Sequence, residues 1–199
     1  MRRTTITHLL GFLFLLCSLG AQADFPSIKS KTFDDEKFLF PDDIQGKPLS
    51  LLFLAMSSDR ENGTLQQQQL IAWHKELVAA NVLDNTISAY HFPVMKSPPF
   101  FVKGIISNAM ADVYEGTVST DHSGVLFVDD LQSFADSASL PLNELPTVVL
   151  LDAEGNIAAT IKGAVSAELV SELATSIKKL NNTATEANPA AKEDGDIAE

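Results

Sequence analysis

Serine and histidine are the side chains of this chain that could supply nucleophilic chemistry. Ser57 and Ser58 follow a continuous apolar run, and His91 closes the next β-rich run. A serine nucleophile needs a base, usually a histidine, within hydrogen-bond reach. One hypothesis is therefore a cofactor-independent or metal-assisted enzyme that uses His91 with Ser57 or Ser58. No Gly-x-Ser-x-Gly motif supports it, and the competing interpretation is that these serines cap a helix. We assign no catalytic residue and leave enzymatic activity open.

Thiol and metal chemistry have less support in the sequence. The single cysteine, Cys17, lies in the N-terminal apolar segment. Asp121, His122 and the pair Asp129-Asp130 make a loose acidic cluster, but their spacing matches no known metal-binding motif. We predict neither a metal ligand nor a cofactor.

The N-terminus has the pattern of a secretory signal. Arg2 and Arg3 precede an apolar stretch over residues 9–19, and Ala21-Gln22-Ala23 gives the small-x-small cleavage pattern. The stretch is shorter than the ~20 residues that a transmembrane helix needs. We predict a signal peptide over residues 1–23 and an exported protein, periplasmic if the source is a Gram-negative bacterium. A retained N-terminal anchor is the alternative.

The charge of the chain limits the classes of partner that it is expected to bind. The net charge is −12, and removal of Arg2 and Arg3 with the signal changes it to −14. Nucleic acids and anionic membranes are bound through clusters of Lys and Arg, so we expect neither nucleic-acid binding nor stable membrane insertion after cleavage. Residues 181–199 are rich in Ala, Thr, Asn and acids. We predict that they form a disordered acidic tail after a single domain at 24–180.

Apolar periodicity predicts a strand–helix–strand unit in the first half of the domain. Residues 49–55 are apolar except for Ser50, which is typical of a strand buried on both faces. Apolar residues at spacings of three and four predict a helix over 64–80 that begins at Thr64, with Gln66 to Gln69 as a solvated turn. A second strand over 86–92 completes a crossover between parallel strands.

A proline-rich connection and a second helix follow. Pro93, Pro98 and Pro99 predict a stiff loop, and the next apolar pattern predicts a helix over 100–114. We expect Phe101 to pack inward with the apolar face of this helix and leave Phe100 open. Because exposed aromatic residues anchor partners, docking of an accessory subunit of an envelope complex through this loop is a further hypothesis.

The last part of the domain predicts a hairpin and a helix. Residues 147–151 and 157–161 are strands joined by a turn in which Gly155 supplies a positive φ. A helix begins near Ser166, with Leu169, Leu173 and Ile177 as its buried stripe. A short strand over 125–128 precedes the hairpin, and residues 129–144 receive no assignment.

The order of these elements resembles a thioredoxin-like domain. Leu145-Pro146-Thr147 resembles the segment that carries a cis proline in thioredoxins, and residues 148–156 resemble the hairpin of peroxiredoxins and TlpA-like periplasmic proteins. Phe101-Val102 and the helix entry at 163–166 are similar to periplasmic proteins of the YtfJ type. The resemblance implies an α/β fold, with a central mixed sheet flanked by helices and a C-terminal β-hairpin and helix.

One departure from the thioredoxin pattern limits the function that the resemblance implies. Residues 56–61, Met-Ser-Ser-Asp-Arg-Glu, stand where active members carry CxxC. Serine does not undergo thiol–disulfide exchange, so the chain is not expected to be an oxidoreductase. What remains is the peptide-binding groove that the resemblance implies and an unknown protein or peptide partner. Its expected binding residues are Met56, Ser57, Ser58, Asp59, Arg60, Leu145, Pro146, Thr147 and His91.

Overall fold

The computed structural model describes residues 24–44, 48–84 and 86–187, with side chains described as far as residue 182. The predicted signal peptide lies outside the described residues, as does most of the predicted tail. The described strands are β1 (Ile28–Lys31), β2 (Lys37–Phe40), β3 (Leu49–Met56), β4 (Ile87–Lys96), β5 (Leu126–Val128), β6 (Thr147–Leu151) and β7 (Ile157–Lys162). The described α-helices are α1 (Arg60–Ala79), α2 (Phe100–Tyr114), α3 (Leu131–Ser137) and α4 (Ala167–Ala187).

Five of the strands form a mixed sheet in the order β5-β4-β3-β6-β7. β3 runs parallel to β4, and β4 runs parallel to β5. β6 is antiparallel to both β3 and β7. All eight residues of β3 are buried because this strand is central and covered on both faces. The predicted α/β class, the mixed sheet and the C-terminal hairpin and helix are confirmed.

Each face of the sheet has its own apolar layer. On one face, Trp73 and Leu77 of α1 pack with Leu173 and Ile177 of α4. On the other face lie Phe38 and Phe40 from β2, which pairs with β1 in a separate two-stranded sheet, together with Phe134 of α3. The odd-numbered residues of β3 face α1, and the even-numbered ones from Leu52 onward face β2, as the two-residue period of a strand requires.

Two predicted element boundaries are wrong. α1 begins four residues before Thr64, because Asp59 is its N-cap and its Oδ1 accepts from the Asn62 backbone N–H at 2.8 Å. β4 continues through Pro93, which was expected in a loop. The His91 carbonyl accepts from the Gly124 N–H on the β5 side of β4. Backbone groups two residues apart in a strand point to the same side, so the backbone N of Pro93 also points toward β5. The N–H that proline lacks is therefore not one that would bond to β3.

The later part of the chain contains two more helices. Residues 129–144, left without an assignment, include α3, whose N-cap is Asp130. α4 extends through Ala187 and therefore past the expected boundary at residue 180.

The position of α2 departs most from expectation. Its bounds are those predicted, but Tyr114 is its only buried residue. Phe101 is 73% exposed, Ile105 is 68% exposed and Phe100 is 87% exposed. The expectation that Phe101 packs inward is wrong. α2 joins β4 to β5, and β5 is an edge strand of three residues that offers little sheet for a helix of 15 residues to cover.

Candidate functional site

Most of the predicted binding residues meet at one edge of the sheet. β3 ends at Met56, and in the antiparallel pairing of β3 with β6, Leu54 lies opposite Thr147. The end of β3 therefore adjoins the start of β6. The Asn62 side chain donates from Nδ2 to the Glu144 carbonyl at 3.1 Å and so ties the start of α1 to the loop before Pro146. The strand pairing and this bond together place the loop after β3 next to the segment that leads to Pro146.

The loop from Ser57 to Asp59 is shaped by its own polar groups. The Ser57 hydroxyl donates to the Asp59 carbonyl at 2.9 Å, and the Asp59 N–H donates back to Ser57 Oγ at 3.0 Å. Asp59 then caps α1. The interpretation that these serines cap the helix is wrong, because the N-cap is Asp59 and the Ser57 hydroxyl bonds within the turn that precedes it.

Gln66 holds the loop from inside the molecule. This side chain is fully buried; its Oε1 accepts from the Met56 N–H at 2.9 Å and its Nε2 donates to the Met56 carbonyl at 3.1 Å. Nε2 also donates to Asn62 Oδ1 at 2.6 Å. The prediction that Gln66 to Gln69 form a solvated turn is thus wrong for Gln66 and for Gln67, which is also buried. The 3.6-residue period places position 66 on the same face as Leu70 and Trp73, and that spacing was the available signal.

An open cleft of about 430 Å³ lies beside this loop, and we call it the edge cleft. It collects residues from the carboxyl ends of β3 and β4, from the start of α3 and from the loop after it. The lining residues are Ser57, Ser58, Met95, Lys96, Asp130, Leu131, Gln132 and Leu142. Clefts at the carboxyl ends of parallel strands are the usual ligand sites of open α/β sheets.

The electrostatics of the edge cleft centre on Asp130. Its Oδ1 accepts from the Ser133 backbone N–H at 2.7 Å and from the Ser133 hydroxyl at 2.8 Å. These bonds, with a smaller contribution from the charge of Lys96, lower the pKa of Asp130. The cleft thus has a carboxylate and an ammonium group beside the apolar side chains of Met95, Leu131 and Leu142.

The segment at Pro146 differs in detail from the thioredoxin pattern. The Leu145–Pro146 bond is trans, and the cis bond of the described residues is Phe40–Pro41, so the predicted cis proline is wrong. Leu145 is 46% exposed, whereas Pro146 and Thr147 are buried. The Thr147 Oγ1 has no hydrogen-bond partner among the described residues. Only Leu145 of these three presents its side chain to solvent.

His91 does not belong to this edge. It lies inside β4 opposite Phe53, is fully buried, and stacks on the Phe53 ring with 4.2 Å between ring centroids and 4° between ring planes. Its Nε2 lies 3.0 Å from Nδ1 of His74, and its own Nδ1 has no partner among the described residues. The prediction that His91 closes a strand is wrong, because β4 continues to Lys96.

Burial governs the protonation of this histidine pair. It lowers the pKa of His91 well below its ordinary value, and the charge of His74 lowers it further. Partial burial also lowers the pKa of His74. Burial therefore favours the neutral form of both rings, and the His91 ring lies in the core and not beside Ser57 or Ser58.

The described residues form neither a cluster of metal ligands nor a membrane-spanning helix. No three His, Cys, Asp or Glu side chains among them are grouped closely enough to hold a metal ion. None of the described helices combines the length and apolar character that crossing a membrane requires.

A larger cleft of about 680 Å³ lies between the end of α1 and the start of α4. Its lining is mostly Ala and Val with Glu76 as the one charged side chain, and it contains none of the predicted site residues.

Solved structures of known proteins share this architecture. No protein-family model matches the sequence, and no curated protein matches it. Yeast Sco1 aligns with a TM-score of 0.54 and 11% identity over 79% of this chain and 96% of its own. The thioredoxin domain of a thiol-disulfide oxidoreductase from Bacteroides vulgatus aligns at 0.51 and 16% identity over 79% and 96%. Reduced 2-Cys peroxiredoxin from Plasmodium vivax aligns at 0.51 and 14% identity over 82% and 83%.

These likenesses establish the fold. The chain has a thioredoxin-like fold, as the order of its sequence elements predicted. It differs from the thiol-active members of that fold in lacking a CxxC motif, since its one cysteine is Cys17. The loop after the central strand carries Ser57 and Ser58 instead.

Proposed function

We propose that this chain is an exported thioredoxin-like protein that performs no thiol chemistry and binds a polypeptide segment in the edge cleft. The observation that carries the proposal is the position of Ser57 and Ser58. They line the edge cleft and follow the central strand, where thiol-active members have their reactive cysteines. With the thiols absent, no disulfide exchange is possible there, and recognition is the property that remains.

The chemistry of the edge cleft supports a peptide ligand. Its volume lies within the range of about 300–1,000 Å³ that is typical of ligand sites. Met95, Leu131 and Leu142 offer apolar surface for a side chain, while Lys96 and Asp130 offer one charge of each sign for backbone or polar groups. An extended segment that places apolar and polar groups alternately matches such a lining.

No observation favours the enzyme hypothesis over this one. A hydrolase that uses His91 needs that ring beside Ser57 or Ser58. His91 is instead buried against Phe53 and His74, and the Ser57 hydroxyl is bonded to Asp59.

Site-specific photo-crosslinking in the living cell tests the proposal. A benzophenone amino acid at Gln132, in the edge cleft, should crosslink to a partner, whereas the same group at Val78 on α1 should not. Ser58→Trp should fill the cleft and abolish the crosslink while leaving the melting temperature nearly unchanged, because a loop side chain is replaced. Val78→Trp is the matched control and should leave the crosslink intact.

Three other outcomes would assign binding to a different surface or contradict the proposal. A crosslink that survives Ser58→Trp but is lost with Phe100→Glu would indicate docking at the start of α2, as in the hypothesis of an envelope complex. A crosslink lost on truncation after Ala187 would indicate binding through the acidic tail. An activity lost in His91→Gln, in a protein that remains folded, would restore the enzyme hypothesis.

A further inference from the structure

The exposed side of α2 carries a line of apolar residues that nothing in the described molecule covers. Phe101, Ile105 and Ala109 are spaced four residues apart and therefore lie along one side of the helix, and all three are exposed. We call them the α2 stripe. Phe100, at the start of the helix, is 87% exposed beside it. We propose that the α2 stripe is the interface through which two copies of this chain form a symmetric dimer.

The sizes of the stripe residues favour a second copy as the occupant. When two α2 helices cross antiparallel about a two-fold axis at Ile105, each Phe101 faces Ala109 of the other copy. Ile105 then faces its own counterpart. A large side chain meets a small one at both ends of the contact, and a residue that contacts its symmetry partner in this way defines an isologous interface.

The low charge of α2 is compatible with this occupant. The chain has a net charge of −12, so most of its surface repels another copy. α2 contains only Lys103 and Asp112 as charged residues. Lys103 is directed toward the body of the protein, with Nζ 5.1 Å from the centre of the Phe127 ring. In the antiparallel arrangement Asp112 lies opposite Pro98 of the other copy, so the two Asp112 carboxylates are far apart.

The exposed area indicates a weak dimer. A buried phenylalanine covers about 150–250 Å², so Phe100 and Phe101 together expose on the order of 300 Å² of apolar surface. With Ile105 and Ala109 the patch is comparable to the largest patch on a typical monomer, about 300–600 Å², and smaller than the ~800 Å² per partner of a standard interface. We therefore expect association that depends on concentration and that strengthens with added salt, which screens the acidic surfaces.

Analytical ultracentrifugation of the full chain across two decades of concentration tests the proposal. Every protein carries Cys17→Ser, including the reference that is called wild type below. The wild-type mass should rise from monomer toward dimer with concentration. Ile105→Glu should remain monomeric, and Val78→Glu, at a comparably exposed apolar residue of α1, should dimerise as the wild type does. A wild-type chain that remains monomeric throughout overturns the proposal.

Two variants that change side-chain size distinguish a symmetric dimer from nonspecific hydrophobic association. Ala109→Phe adds apolar area but places phenylalanine against Phe101 of the other copy, so it should reduce dimerisation at least tenfold. Combining it with Phe101→Ala exchanges the large and small positions and should restore the dimer. If Ala109→Phe instead strengthens association, or promotes binding to lipid vesicles, the stripe is a nonspecific or membrane-binding surface and the proposal is wrong.

Disulfide trapping checks the position of the axis. Ile105→Cys should form an intermolecular disulfide on mild oxidation, because the two-fold axis brings residue 105 against its counterpart. Val78→Cys, in the same cysteine-free background, should not. Equal trapping at both positions would contradict the assigned interface.

Discussion

α1 and α2 reverse the usual relation between composition and burial. α1 is rich in glutamine and charged side chains, yet it buries Gln66, Gln67, Leu70, Trp73 and Leu77. α2 is mostly apolar and buries only Tyr114. α1 crosses the sheet over its central strands, whereas α2 leads to β5 at the edge. The amount of sheet beneath a helix therefore decides how much of the helix is buried, and apolar surface left over becomes available for association.

The largest effect should come from the centre of the α1 face. Trp73 is fully buried, and its Nε1 donates to the Gly163 carbonyl at 2.9 Å. Trp73→Ala should lower the free energy of unfolding by about 3–5 kcal/mol, measured by urea denaturation. Phe101→Ala in α2 is the matched control and should change it by less than about 0.5 kcal/mol at low protein concentration. Equal losses would mean that α2 is packed as tightly as α1.

A polar residue of α1 should matter more than an apolar residue of α2. Gln66→Ala leaves the Met56 N–H and carbonyl without their buried partner, which should cost about 1–3 kcal/mol of unfolding free energy. Gln68→Ala, at an exposed position of the same helix, should cost almost nothing. Amide hydrogen exchange at Met56 gives a second measurement and should accelerate only in Gln66→Ala. Unchanged exchange there would show that Gln66 does not hold the loop.

The histidine pair should make the α1 side of the molecule sensitive to acid. The pKa of both His74 and His91 is lower in the folded chain than the ordinary value near 6.5, so the unfolded chain binds more protons below that pH. Stability should be complete above about pH 6.5 and should fall as pH decreases, by about 1.4 kcal/mol per pH unit for His91. Protonating His91 would also bury an unpaired N–H at Nδ1.

Urea titrations between pH 7 and pH 5 measure this dependence. His91→Phe keeps an aromatic ring against Phe53 and should flatten the pH profile. An unchanged slope in His91→Phe would assign the acid sensitivity to other groups.

The smallest effect should come from α2 itself. Gly104 lies in the interior of the helix, and a Cβ added there would meet nothing within 4 Å. Gly104→Ala should therefore stabilise the dilute monomer by about 0.5–1 kcal/mol, because alanine loses less backbone freedom on folding. Thermal denaturation at low concentration detects this gain. A loss of stability would show that the backbone at Gly104 is in a conformation that alanine does not tolerate.

Continuous or strictly patterned segments were predictable from the sequence. The conformations of β3 and of the β6–β7 hairpin could be predicted from their own residues. A continuous apolar run indicates a buried strand, and the turn residues indicate a hairpin, so both signals are local. Their order led to the thioredoxin-like fold, and it also predicted that Ser57 and Ser58 follow the carboxyl end of the central strand β3.

Tertiary structure alone decided which side chains those elements bury and pair. Pro93 looked like the end of a strand, yet β4 continues past it, and His91 consequently lies in the core with His74. Gln66 looked solvated, but the chain fold brings the Met56 backbone to it. The bounds of α2 were predicted correctly, but its burial was not. Helical periodicity shows which residues share a face of the helix, but it does not show whether that face contacts the rest of the protein. Sequence patterns determine local conformation, whereas burial depends on contacts between segments that are distant in the chain.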